Sequence, residues 1–284
     1  MTEILALEFM QRALAAGALL SVVLATISFF VVLRSFSFIG VGVSHSAFGG
    51  VALGALLGIS PTGVAIPFAV LVANAIGLVG RRGRIGVDTA IGIFFPLAMA
   101  LGIIFIALSG RYNVDLFGYL FGSILAVTPQ DLVLAAVLGG AILILMVLLF
   151  KEFLFVAFDE EVARASGLPV VLLDHLLLTM LALAVVISIK VVGIVLVSAL
   201  LVIPGATALQ LTRRYGRALL YSIASALVAT LGGLVLSYYV DLPSGATIVA
   251  TASVLFFVAL FAGRIARGRR PAAEPAREIE ETVR

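Results

Sequence analysis

Cysteine is absent from this 284-residue chain, and histidine occurs only twice. The first absence excludes disulfides and every thiolate metal site. Together the two mean that one copy of the chain cannot close a zinc cage from soft ligands. Charge is scarce as well: 12% of residues are charged, against about 25% in soluble domains. No positively charged, then apolar, then small-residue pattern opens the chain, since Glu3, Glu8 and Arg12 precede the first apolar run, so no cleavable signal peptide is expected.

Apolar residues are what remains. They make up 63% of the chain, and the mean hydropathy is +1.27. Many runs reach the ~20 residues needed to cross a hydrocarbon core about 30 Å thick. The expectation is an all-α polytopic membrane protein with about nine spans, eight to ten being compatible with the pattern. The spans fall near 13–33, 41–59, 62–80, 88–108, 131–150, 171–189, 191–212, 218–240 and 246–263. Residues 1–263 then form one membrane domain. Residues 264–284, charged and containing Pro271 and Pro275, are expected to be a flexible cytoplasmic tail.

Nine crossings put the chain ends on opposite sides, and the basic residues decide which is which. Arg34, Arg81, Arg82, Arg84, Lys151, Arg164, Arg213, Arg214, Arg217, Arg264, Arg267, Arg269, Arg270, Arg277 and Arg284 fall on one side. Only Arg12, Arg111 and Lys190 fall on the other. By the positive-inside rule the first group, with the C-terminus, faces the cytoplasm. Residues 3–12 read as an interfacial helix on the outer surface. Residues 111–130, with Asp115, Gly118, Gly122 and Pro129, read as an outer loop with a partial helix.

Between long apolar runs lies one short polar segment, Asp159 to Pro169. Its acids Asp159, Glu160 and Glu161 suit a helix N-terminus, and Gly167 with Pro169 supplies the stop. Ala163 and Arg164 complete a brief cytoplasmic helix at about 158–168, well placed to be gripped by a soluble partner.

The second span carries Gly42, Ser46, Gly50, Gly54 and Gly58 every four residues, a stripe along which another helix can approach closely. His45 borders it. An ionisable residue within a span is a functional candidate, and neutral imidazole is a good transition-metal ligand. Gly49, one turn on, is expected to leave open space beside the ring. Further along, Gly193 and the pair Pro204-Gly205 interrupt an apolar stretch and predict irregular backbone at membrane depth. His175, beside Asp174, reads as interfacial, and Asp88 as a helix-start acid paired with Arg84.

Two combinations carry a resemblance: Phe38 through Gly50 around His45, and Lys190-Val191-Val192-Gly193 through Ser198 to Pro204. With Phe9 through Leu14 and the Asp159–Pro169 segment, residues 5–263 resemble the zinc/manganese/iron-type permeases of ATP-binding-cassette importers. The resemblance implies the cobalamin-permease-like, type II importer architecture in a prokaryotic plasma (inner) membrane. It implies cytoplasmic ATPase subunits, an external metal-binding receptor protein, a second permease copy and surrounding lipid as partners, with no nucleic acid. No cofactor would be held permanently: the divalent metal passes through, and ATP acts through the partner subunit. Asp159, Glu160, Glu161, Ala163, Arg164 and Gly167 would form the coupling helix, and His45 would match the pathway histidine. Gly42, Ser46, Gly49, Gly50, Gly193, Pro204 and Gly205 would shape the pathway, and Arg12, Arg111 and Lys190 would meet the receptor. One departure stands at Val41, where relatives commonly carry an Asp one turn before the histidine.

Two other readings fit the sequence less well. A metal-chelate permease, for cobalamin or a siderophore, needs a wide cavity. An intramembrane enzyme needs a nucleophile with its base, or a motif such as His-Glu-x-x-His, which is absent. Ser44 and His45 make no dyad, because adjacent helical residues point about 100° apart.

Overall fold

The structure, a computed structural model, describes residues 7–83, 85–109 and 127–268. All regular elements among the described residues are helical: α1 (Glu8–Leu33), α2 (Ile39–Leu57), α3 (Pro61–Arg82), α4 (Val87–Ser109), α5 (Pro129–Leu148), α6 (Phe150–Phe158), α7 (Glu160–Ala165), α8 (Val170–Val192), α9 (Ile194–Leu200), α10 (Ile203–Leu211), α11 (Tyr215–Val240) and α12 (Ser244–Gly268). Nine candidate spans occur among the described residues, with α9 and α10 together making the seventh.

Local chemistry sets the boundaries. Thr128 and Asp131 form a capping box at the start of α5, so Asp131 is engaged in holding the helix rather than simply solvating a loop. Ser60 caps α3, where Pro61 occupies the first turn without losing a hydrogen bond. Gly58 closes α2 in the left-handed conformation, φ 69°. Asp88 lies in the first turn of α4, while its expected partner Arg84 lies outside the described residues.

Three expectations are corrected. Glu8 to Arg12 do not form a separate interfacial helix but the first turns of α1, where Arg12 pairs with Glu8 at 2.6 Å. The last helix continues past residue 263 to Gly268; the rest of the tail is outside the described residues. The helical run expected to end near residue 150 continues as α6, whose Phe150 and Phe153 pack on Phe30 with ring centroids 5.6 and 5.7 Å apart.

Helix α1 is the central pillar. Its middle is fully enclosed, and hydroxyls clamp its neighbours to it, as expected where lipid offers no hydrophobic drive between helices. Ser21 donates to Thr230 of α11 at 2.6 Å, and Ser222 of α11 donates to the Ala25 carbonyl at 2.9 Å. On the other side of the molecule α2 packs against α3 and α4, and α8 lies against both groups. The outer helices α4, α5 and α12 expose large apolar side chains such as Ile103, Val147 and Phe257, a surface suited to lipid or to another membrane chain.

Candidate functional site

His45 sits half-buried on α2. Its Nδ1 is 2.9 Å from the carbonyl oxygen of Val41, one turn earlier. A carbonyl only accepts, so Nδ1 carries a proton, and in the neutral ring Nε2 is the nitrogen left with a lone pair. That is the tautomer that can ligate a metal, with the other nitrogen anchored to backbone. The edge of the ring meets Phe95 of α4 at a centroid distance of 5.0 Å. Among the described residues, no group of three or more His, Asp or Glu side chains gathers anywhere. The described part of one chain therefore offers an ion at most a sparse site.

The small residues around His45 are packing surfaces. A Cβ on Gly50 would lie 2.7 Å from the Ala65 Cα of α3, and one on Gly54 would lie 2.8 Å from the Pro61 Cα. Gly42 faces Ile91 of α4 at 2.7 Å in the same sense. The expectation of open space at Gly49 is wrong: Phe68 fills it, and a Cβ there would stand 2.7 Å from the Ala98 carbonyl oxygen. Two helices pass so closely on either side of α2 that only hydrogen fits. Ser46 points inward and donates to the Gly42 carbonyl, 2.7 Å away.

The helical run is broken twice here, once just before the seventh span and once within it, near the positions expected. Gly193 adopts φ 84°, which lets α8 and α9 follow one another with a sharp change of direction. The second break falls at Leu201-Val202, just before Pro204, which opens α10 in a position that tolerates proline. Gly205 does not border open space. Its N–H donates to Ser28 Oγ at 3.0 Å, and a Cβ there would meet the Ser28 carbonyl oxygen at 2.6 Å. The irregular backbone is thus satisfied by α1, as burial in a membrane requires. Ser44 and Ser198, 2.9 Å apart, link α2 to α9 in the same way.

At one end of the bundle, charges far apart in sequence converge. Asp174, near the start of α8, takes a two-pronged contact from Arg34, with Nη1–Oδ1 2.9 Å and Nη2–Oδ2 3.1 Å, and pairs also with Arg81. Glu160 of α7 reaches Arg34 and Arg81 at 3.4 Å each, and Arg164 at 2.8 Å. Burial grades across the network: the Asp174 and Arg34 side chains are 6% and 9% exposed, Glu160 39% and Arg164 62%. Burial lowers the Arg34 pKa from its ordinary value, and Glu160 pushes it back up. The sequence reading missed Asp174 as a site residue. Its signal was available, an acid one turn inside an apolar span.

The same end displays α7, and its six singled-out residues divide by orientation. Asp159 caps the helix, accepting from the Val162 N–H at 2.9 Å. Ala163 is fully buried, and Glu160 turns toward the bundle. Gly167, φ 85°, ends the helix through the Leu168 N–H bond to the Ala163 carbonyl. Only Glu161 and Arg164 point outward, joined by Val162, an exposed apolar residue not expected in this role. The tilted rings of Phe158 and Tyr215 meet beside it, centroids 4.4 Å apart. His175 bonds to Asn74 of α3, Nδ1 to Oδ1 2.7 Å, which ties α8 to α3 behind this surface.

Of the three cations expected on the outer side, Arg12 is held by Glu8; Arg111 and the Lys190 side chain lie outside the described residues.

Known proteins resemble this chain over most of its length. The chain is 37% identical over 259 residues to the manganese transport system membrane protein MntC of Halalkalibacterium halodurans, covering 91% of this chain and 89% of that one. It is 34% identical to the manganese import system permease protein ScaB of Streptococcus parasanguinis, over 89% and 90% of the two chains. Among solved structures, PsaBC from Streptococcus pneumoniae, in complex with Fab, superposes with a TM-score of 0.82 at 35% identity, covering 92% of this chain and 94% of that one. The profile of the ABC 3 transport family matches residues 6–263, and this chain belongs to that family.

Proposed function

We propose that the chain is the permease subunit of an ATP-driven importer of divalent transition-metal ions, with manganese the cargo that the names of its relatives favour over zinc or ferrous iron. It is a transport subunit and not an enzyme; ATP hydrolysis belongs to a separate ATPase. The observation that carries the reading is α7: a short helix with a firm glycine stop, outward-facing at Glu161, Val162 and Arg164, and braced from behind by an ion network.

In this reading the α7 end is cytoplasmic, as the gathering of Arg34, Arg81 and Arg164 there favours. Asp159 to Gly167 forms the coupling helix, seated in a groove of the ATPase. His45 presents Nε2 to the passing ion, and a second copy of the chain supplies the opposite wall, so that two sparse sites make one pathway. The close-packed faces at Gly42, Ser46, Gly49, Gly50 and Gly205, with the breaks at Gly193 and Pro204, let helices rock as rigid bodies between outward and inward access. An external receptor delivers the ion on the face that carries Arg12, Arg111 and Lys190. Residues 1–263 are the permease domain, with 264–284 as a cytoplasmic extension.

The test is reconstitution in vesicles with the cognate ATPase and receptor, followed by uptake of manganese, zinc and ferrous iron in turn. ATP-dependent accumulation of one free ion is expected. Downhill passage through the isolated chain, without nucleotide, would refute the reading, and uptake of a chelate alone would move it to the chelate class.

A further inference from the structure

We infer that Glu160 is a positioning residue of the transport cycle: it ties the coupling helix laterally to the spanning helices and carries the helix's motion into them, without itself touching the ATPase. This inference rests on the permease reading above.

The argument starts from how α7 is joined to the rest of the chain. At its front, Asp159 is a single extended residue, φ −150°, between α6 and α7. At its back, Gly167 at φ 85° reverses the backbone before Pro169. The i to i−4 ladder stops at each joint, and the Leu168 N–H bond to the Ala163 carbonyl bridges the second. A push on α7 therefore reaches the bundle mainly through side chains. Two point that way, Ala163 and Glu160. Ala163 has only a methyl group to offer; Glu160 holds two guanidinium groups rooted in different spanning helices.

Those roots lead to separate parts of the machine. Arg34 follows α1, the central pillar, and stacks on Phe36 at 5.2 Å. Arg81 ends α3, whose Pro61 and Ala65 lie against Gly54 and Gly50 of α2, the helix that bears His45. Asp174 locks the two arginines to α8 from the buried side. Glu160 is thus the carboxylate by which α7 enters a cluster that joins the coupling helix to three spans, and the only one that α7 contributes to it. Glu161, its neighbour, has the opposite assignment: it is exposed and free to meet the partner.

The experiment compares Glu160→Gln, Arg81→Gln, their double variant and Glu161→Gln in the reconstituted complex with ATPase and receptor. Three quantities are read: co-purification of the ATPase, the rate of ATP hydrolysis, and manganese imported per ATP hydrolysed. For Glu160→Gln the ATPase stays bound and active, and the ion-to-ATP ratio falls about tenfold, the size expected when one member of a coupling network is lost. In the double variant the loss of ratio is less than the sum of the two single losses, because each single variant already removes the Glu160–Arg81 contact. Glu161→Gln weakens ATPase binding and leaves the ratio unchanged. An unchanged ratio in Glu160→Gln, or losses of binding, hydrolysis and uptake in equal proportion, overturns the inference. Should that variant not assemble, Glu160→Asp keeps the charge and shortens the reach; a lowered ratio supports the inference and a normal one overturns it. If the unaltered complex shows no ATP-dependent uptake, the permease reading itself fails and takes this inference with it.

Discussion

The Glu160 carboxylate and the Arg81 guanidinium stand 3.4 Å apart although 79 positions separate them in the chain. One lies on a six-residue helix outside the bundle, the other at the end of a spanning helix. Their contact, shared with Arg34 and Asp174, joins α7 to three spanning helices and sets up the first prediction.

Asp174→Ala is expected to destabilise the protein strongly. It strands Arg34, 9% exposed, with only the more distant Glu160 as carboxylate partner. Removing one partner of a buried pair costs about 3–5 kcal/mol. Thermal unfolding of the detergent-solubilised protein checks this, with Glu161→Ala as the control that stays within about 0.5 kcal/mol. Equal melting temperatures for the two variants would show that the network contributes nothing to stability.

Gly50→Val drives a side chain into the Ala65 Cα at 2.7 Å, where backbone, not a flexible tip, must yield. Overpacking of this kind costs about 1–3 kcal/mol. Gly92→Ala, with nothing within 4 Å of the added Cβ, is expected to be neutral or mildly stabilising. The comparison of their melting temperatures tests whether α2 and α3 pass as closely as described.

His45→Ala is expected to lower manganese uptake about 10–100-fold while leaving assembly with the ATPase intact. Val41→Asp places a carboxylate one turn before the ring while keeping the backbone carbonyl that anchors Nδ1. It is expected to tighten metal binding, read as a lower manganese concentration for half-maximal uptake. Normal uptake in His45→Ala would remove the imidazole from the pathway.

Gly167→Ala forces a Cβ into φ 85°, a conformation that costs an L-residue about 1–2 kcal/mol. Nothing lies within 4 Å of the new methyl, so the bundle is unaffected. The expected result is impaired coupling of ATP hydrolysis to uptake with an unchanged melting temperature of the bundle. A drop in the melting temperature with normal coupling would place Gly167 in the stability of the fold instead.

Much of this was legible residue by residue. The spans near 62–80 and 88–108 reappear as α3 and α4, because twenty apolar residues suffice to mark a crossing whatever lies beside it. The stop at Gly167 and the break at Gly193 were equally visible, since a left-handed φ is a local demand that glycine meets. Gly49 shows where local reasoning ends. Read along α2 it looked like a gap beside His45, yet Phe68 and Ala98 from two other helices fill it. Likewise Glu160 and Glu161 looked equivalent, both acids in a helix's first turn, until the fold turned one toward Arg81.

The amino-acid order alone determined that this is a membrane-embedded helical protein of about nine spans, which end gathers positive charge, and where a short polar helix interrupts the apolar runs. Each of these follows from transfer free energies and backbone preferences that add up along a contiguous stretch. Only the tertiary structure decided which side of each helix faces which neighbour: Asp174 against Arg34, Gly205 against Ser28, Glu160 inward and Glu161 outward. The physical reason is that the rotation of a helix about its own axis is fixed by close contacts with helices from distant parts of the chain.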